Sequence, residues 1–142
     1  MDDILIQVKE VKKEFPLRGQ VVRALKGVTL DIYRGEYLSI MGPSGSGKST
    51  LFNMIGALDK PTSGQITVAG VELTSLTSRQ LAHFRGNHIG YVFQSYNLLP
   101  AYDAMMNVAM PLIFSGLAMD EAMQKAKAVL ERVGLGHRLG NR

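Results

Sequence analysis

The chain has no cysteine among its 142 residues, which excludes disulfides and thiolate-held metals and fits a reducing compartment. It has no run able to cross a bilayer: the most apolar stretch, residues 104–119, is too short and is broken by Asn107, Pro111 and Gly116. The opening Met1-Asp2-Asp3 is acidic where a secretory leader would be basic, so work at a membrane would go through a partner. There is no fixed-period repeat and no low-complexity tract. The net charge is +4, but the basic residues are scattered rather than striped, which argues against nucleic acid as a target. What is left is ordinary globular material, 46% hydrophobic, in a chain long enough for one domain with a real core.

Against that background one segment stands out. Gly42-Pro43-Ser44-Gly45-Ser46-Gly47-Lys48-Ser49-Thr50 follows the apolar run Tyr37-Leu38-Ser39-Ile40-Met41. The pattern is a phosphate loop, G-x-x-x-x-G-K-[ST], between an expected buried strand and a helix expected over residues 48–58. A triphosphate needs many donors converging on one small volume. Glycines lack Cβ, so the backbone can turn its N–H groups inward around phosphates, and the helix directs its positive end at the same anion. Lys48 would then reach the β- and γ-phosphates, and the Ser49 hydroxyl would take one place on an octahedral Mg²⁺. The plain alternative is a glycine-rich turn that binds nothing.

The remaining elements follow from periodicity and punctuation. Ile4, Ile6 and Val8 alternate with Leu5, Gln7 and Lys9 as a first strand, and Val28, Leu30 and Ile32 with Thr29, Asp31 and Tyr33 as a second, ended by Arg34-Gly35-Glu36. Residues 65–68 read as another strand turning at Ala69-Gly70, and residues 88–93 as a second buried parallel strand. Ser78 is the expected cap of a short helix stopping at Gly86. Asp103 is expected to cap a helix limited or kinked by Pro111. Asp120 is expected to cap another, whose apolar face carries Ala122, Ala126, Val129, Leu130 and Val133, with Glu121 paired to Lys125 and Gly134 as the stop. Met105, Met106, Met110, Met119 and Met123 crowd this region, either as helix core or as an adaptable groove for a partner helix.

Ser46-Gly47-Lys48-Ser49-Thr50-Leu51, Asp59-Lys60-Pro61-Thr62-Ser63-Gly64-Gln65-Ile66, Gly90-Tyr91-Val92-Phe93-Gln94 and Asn97-Leu98-Leu99-Pro100 appear in that order. The wording resembles the ATP-binding subunits of ABC transporters, in the branch serving lipoprotein-releasing, macrolide-exporting and cell-division-associated systems. The resemblance implies an α/β fold: a P-loop NTPase core with an antiparallel β subdomain and the start of a helical subdomain, incomplete. The nucleotide-binding core would occupy residues 1–94 and the helical part residues 95–142. It implies ATP and Mg²⁺ as cofactors, with Gly42, Pro43, Ser44, Gly45, Ser46, Gly47, Lys48, Ser49 and Thr50 around the phosphates. Lys48 and Gln94 would be catalytic, and Ser49 and Gln94 would contact the metal. Phe15 would face the adenine ring, against the alternative that it is ordinary core.

The resemblance also implies transmembrane permease subunits and a second ATP-binding subunit as partners. The location would be cytoplasmic, peripheral on the inner face of the membrane. A Leu-Ser-Gly-Gly-Gln signature, an apolar strand ending in Asp-Glu and a later histidine do not occur in these residues. Asp59 imitates the apolar-then-Asp pattern but follows the phosphate-loop helix, and His83, His88 and His137 read as local residues. The expectation is a chain that binds nucleotide without efficient turnover, the alternative being a non-hydrolysing nucleotide-binding or regulatory module. No Asp-x-x-Gly follows the loop and no Asn-Lys-x-Asp occurs, which disfavours a GTPase. A small-molecule kinase is disfavoured by the Gln94 region.

Overall fold

The computed structural model describes residues 3–17 and 19–142, and the chain divides into two compact units, Met1–Gly90 and Tyr91–Arg142. In the first unit, β1 (Ile4–Leu17) and β2 (Gln20–Tyr33) form a long antiparallel hairpin. β3 (Ser63–Val68) and β4 (Val71–Glu72) extend it to a four-stranded sheet in the order β2-β1-β3-β4. β1 runs well past the alternating residues 4–9 because of a bulge. Val8 pairs with Leu30 and Val11 with Val28, so β1 spends one residue more than β2 between them. That extra residue resets the alternation, and Val8 and Val11, three apart, are both fully buried. Glu10 takes φ 47° at the bulge, and a Cβ on Gly64 of β3 would lie 2.4 Å from its carbonyl oxygen. Only glycine fits where β3 crosses the bulge.

Helix α1 (Lys48–Ile55) lays Leu51 and Met54 into a core with Val8, Val11, Leu25 and Ile66. It ends three residues before the expected 58: Gly56 closes it, Ala57 turns to φ 56°, and the N–H groups of Leu58 and Asp59 both donate to the Asn53 carbonyl. Helix α2 (Ser78–His88) is capped one residue earlier than expected. The Thr77 side chain accepts from the Gln80 N–H while the Gln80 side chain accepts from the Thr77 N–H, a reciprocal box that Ser78 cannot make. The helix also continues through Gly86. Burial of Leu81 and Phe84, and the His88 ring stacked 4.4 Å from Phe84, outweigh a glycine cost of about 1 kcal/mol.

The two expected parallel strands are not strands. Residues 37–41 and 89–93 carry no ladder hydrogen bonds among the described residues, and Tyr37, Met41, Val92 and Phe93 are exposed. A buried parallel strand needs a hydrogen-bonded neighbour and a covered face on each side. Neither segment joins the sheet.

In the second unit, α3 (Ala104–Phe114) and α4 (Met119–Arg132) pack around Ala109, Ala122 and Ala126. The Asp103 carboxylate accepts from the Met106 N–H at 2.8 Å, as expected of the cap. The carbonyls of Asn141 and Leu139 accept from the N–H groups of Ala104 and Met105, so the first turn of α3 is fully occupied. Pro111 does not end α3, which runs three residues further. α4 departs from expectation at its N-terminal end. Its cap position is Ala118, which offers no side-chain bond, and Asp120 sits inside the first turn. Leu130 is buried with the alanines, whereas Val129 and Val133 are exposed, so the apolar face is narrower than the sequence pattern. The Glu121–Lys125 pair is formed at 2.7 Å, and Gly134 takes φ 80° past the helix end. Met105 and Met123 pack into the helix pair, as the core reading requires, while Met119 is half exposed.

Candidate nucleotide site

The phosphate-loop residues form an open turn leading directly into α1. Gly45 (φ 78°) and Gly47 (φ 91°) occupy left-handed backbone, and Gly47 is the residue at the helix cap. A Cβ on Gly47 would fall 2.5 Å from the Ala24 carbonyl oxygen and 3.0 Å from Leu25 Cδ2, so the loop lies directly on β2. A Cβ on Gly42 would meet Ser46 Oγ at 2.8 Å. These two contacts explain why the pattern demands glycine there: the space for a side chain is already used by the protein itself.

Lys48, the first residue of α1, is half buried and bends back over the loop. Its ammonium donates to the carbonyls of Gly42 at 2.7 Å and Pro43 at 2.6 Å, with Ser46 Oγ at 3.4 Å. The Ser46 N–H donates to the Pro43 carbonyl at 3.3 Å. Pro43, Ser44 and Ser49 are exposed and Thr50 is half buried. Beside the loop lies a hollow of about 380 Å³ lined by Ile40, Lys48, Ser49, Phe52 and Asn53. A larger hollow of about 560 Å³ occurs on the hairpin, between Lys12, Glu14, Val21, Arg23, Leu25 and Lys26. Its charges are in part self-matched, Arg23 Nε to Glu14 at 3.1 Å, so the smaller one with its lysine, hydroxyl and helix start is the phosphate candidate.

The loop suits a nucleotide phosphate chain. Its donors are one ammonium, the hydroxyls of Ser44, Ser46, Ser49 and Thr50 and the first N–H groups of a helix, with no carboxylate among residues 42–50. No group of three or more His, Asp or Glu that could hold a metal ion occurs among the described residues. Mg²⁺ in this chemistry draws most ligands from phosphate and water, and the exposed Ser49 hydroxyl is the loop's candidate ligand for it.

Phe15 lies on β1 opposite Val22 and is 41% exposed. Lys13, two residues earlier on the same strand face, places its ammonium 5.1 Å from the centre of the Phe15 ring. Lys13 in turn pairs with Leu25, the residue that approaches Gly47, so Phe15 and the phosphate loop share one face of the hairpin. Lys13 is not free to wander. It makes an ion pair with Asp59 at 2.8 Å and donates to the Lys60 carbonyl at 2.7 Å. Partial burial pushes the Asp59 carboxyl up, but hydrogen bonds from Lys13 and from the Lys60 N–H, with the Lys13 charge, pull it below its usual 3.8. Sequence reasoning missed Lys13, although its spacing of two from Phe15 on an alternating strand was the available clue.

Gln94 belongs to the second unit. It is exposed, outside any helix or strand, just after Tyr91 and Phe93, whose rings stack at 5.6 Å and 11°. Nearby, Asn107 clamps the loop before α3: its Oδ1 accepts from the Leu99 N–H at 2.7 Å and its Nδ2 donates to Leu99, Tyr102 and Asp103 carbonyls.

The protein-family description "ABC transporter" matches residues 25–142, from β2 through the whole of the second unit. The chain belongs to the ABC transporter family. An uncharacterized ABC transporter ATP-binding protein of Thermotoga maritima is 46% identical over 138 residues, 97% of this chain and 59% of its own length. The lipoprotein-releasing system ATP-binding protein LolD of Shewanella sp. (strain MR-7) is 42% identical over 141 residues, 99% of this chain and 61% of its own. Among solved structures, a dimeric ATP-binding cassette in a post-hydrolysis state bound to ADP and Pi superposes with TM-score 0.85 at 40% identity, covering 96% of this chain and 60% of the cassette. The chain therefore spans about three fifths of the length of these ABC relatives. Its fold is that of part of an ABC ATPase cassette, with the antiparallel layer and two helices of a helical part present. Among the described residues no helix is long and apolar enough to cross a membrane.

Proposed function

We propose that this chain carries the nucleotide-gripping part of a transporter ATPase, binding MgATP in the loop of residues 42–50. Lys48 neutralises the terminal phosphates, Ser49 supplies a hydroxyl to Mg²⁺, and Phe15 offers its ring to the base. Gln94 is the link that contacts metal and attacking water and transmits nucleotide state to a membrane subunit. The observation that carries the reading is the loop itself: Gly47 pressed onto the Ala24 carbonyl while Lys48 folds its ammonium over the turn. A lysine already gathered at the loop mouth exchanges two carbonyl contacts for phosphate oxygens, a stronger charge-assisted pairing.

The proposal extends to partners and place. ATP binding would be coupled to transport by permease subunits, with a second ATP-binding subunit completing each site, at the cytoplasmic face of a membrane. Phosphoryl transfer depends almost wholly on positioning and charge stabilisation. Residues 1–142 contribute the loop and Gln94 without a glutamate base or a signature loop, so as an isolated polypeptide they bind and do not turn over. Calorimetric titration of MgATP tests the binding. Wild type should give a saturable heat and Lys48→Ala should lose it, and equal affinities for the two proteins would remove the proposal. Rapid Lys48-dependent phosphate release from residues 1–142 would refute the division of labour. A full chain that binds ATP and never hydrolyses it would instead support a non-hydrolysing regulatory module.

A further inference from the structure

Asp59 satisfies no role in the phosphate loop, yet it holds the ammonium of Lys13 at 2.8 Å while the Lys60 carbonyl takes a second proton of the same group at 2.7 Å. Asp59 is itself fixed, because its other oxygen accepts from the Lys60 N–H at 2.7 Å. Lys60 is tied on through its own ammonium, which donates to the carbonyls of Thr74 and Leu76. The Lys13 side chain is only 13% exposed, so its charge stands in a partly dry position beside the Phe15 ring. A cation within about 6 Å of a ring centre attracts it, more strongly when water is excluded. A cation over one face of a ring leaves the opposite face for a second planar partner. The turn after α1 thus reaches, through one lysine, the aromatic residue on the hairpin.

We propose that Lys13, anchored by Asp59, is a positioning residue that holds the Phe15 ring ready for the adenine base of the bound nucleotide. This rests on the reading of Phe15 as the base platform. A ring already held in one rotamer loses less freedom on stacking, so the gain is in base affinity and not in phosphate affinity. It also ties base recognition to the segment that leaves the phosphate-loop helix, so the two ends of one nucleotide are gripped by parts of one connected structure.

The test is calorimetric titration of the full chain with MgATP and, separately, with magnesium tripolyphosphate, which has the phosphates and no base. Phe15→Ala should weaken MgATP about tenfold or more and leave tripolyphosphate unchanged. Lys13→Met should weaken MgATP about three- to tenfold with tripolyphosphate unchanged, and Lys13→Arg, which keeps the cation, should restore it. Asp59→Asn keeps the lysine charge while loosening its anchor, and should give the same split at smaller size, which serves also if Lys13→Met does not fold. If Lys13→Met and Asp59→Asn bind MgATP as wild type while Phe15→Ala does not, the inference is overturned and the platform reading survives. If Phe15→Ala also binds as wild type, the platform reading itself fails and the inference goes with it. Equal losses for both ligands, or no rescue by arginine, would show a general structural role and overturn the positioning role.

Discussion

Residues 63–68 and residues 37–41 are both short and bounded by turn residues, and the second is the more apolar, yet the first is β3 and the second joins no ladder. In β3, Ile66 and Val68 are buried, and Gln65, Ile66, Thr67 and Val68 all have partners on β1. In the second segment Tyr37 is 95% and Met41 86% exposed. The difference is in the company each keeps. Antiparallel neighbours arrive through short connections: two residues join β1 to β2 and two join β3 to β4, so the ladder closes within a small stretch of chain. Parallel neighbours require crossovers and two covered faces, and among the described residues no sheet includes residues 37–41 or 89–93. An apolar run is therefore a candidate strand whose realisation depends on residues elsewhere.

The sharpest way to break this comparison is a pair of truncations to alanine. Ile66→Ala removes a side chain that is 1% exposed and should cost about 2–5 kcal/mol in urea unfolding. Val92→Ala removes one that is 97% exposed and should lie within about 0.5 kcal/mol of wild type. Equal costs would mean that residues 89–93 are covered in solution, and the contrast would fall. Gly47→Ala comes next. It combines left-handed backbone with a Cβ 2.5 Å from the Ala24 carbonyl, so a loss of about 1–3 kcal/mol is expected, with MgATP binding lost as well. Gly70→Ala, also at positive φ but with nothing within 4 Å of the new Cβ, should be milder in stability and silent in binding.

A smaller effect separates two aspartates that look alike in sequence. Asp103→Ala should cost about 1 kcal/mol because a real cap bond to Met106 is lost. Asp120→Ala should cost only about 0.3–1 kcal/mol, the value of a charge in a first helical turn, and that cost should shrink in high salt. The least of the four concerns Asp59, whose folded carboxyl sits below 3.8. A lowered folded value makes its contribution complete above the unfolded value and lost as pH falls through the folded one. With Asp59 44% exposed, Asp59→Asn should cost less than about 1 kcal/mol at pH 7. The gap should narrow below pH 3.8 and close once pH has fallen through the folded value; a gap that persists when the carboxyl is fully protonated would show that the carboxylate charge is not what stabilises.

The turn of residues 42–50 into α1 was readable in advance because its determinants are local. Glycines, a lysine and a serine at fixed spacing need only each other and the helix they open. The caps were half readable: Asp103 holds its predicted position, whereas Thr77 displaces Ser78 because Gln80, three residues on, completes the reciprocal bond. The Lys13–Asp59 pair spans 46 positions of sequence and only the folded sheet brings it together.

By itself, then, the amino-acid sequence determined the glycine turn that opens α1, the family and most helix positions, since these depend on residues close together in the chain. Which apolar runs became strands, where β1 bulges so that Val8 and Val11 face the same core, and what stands behind Phe15 were decided by tertiary structure. Ladder hydrogen bonds, burial and ion pairing between distant segments exist only once those segments have met.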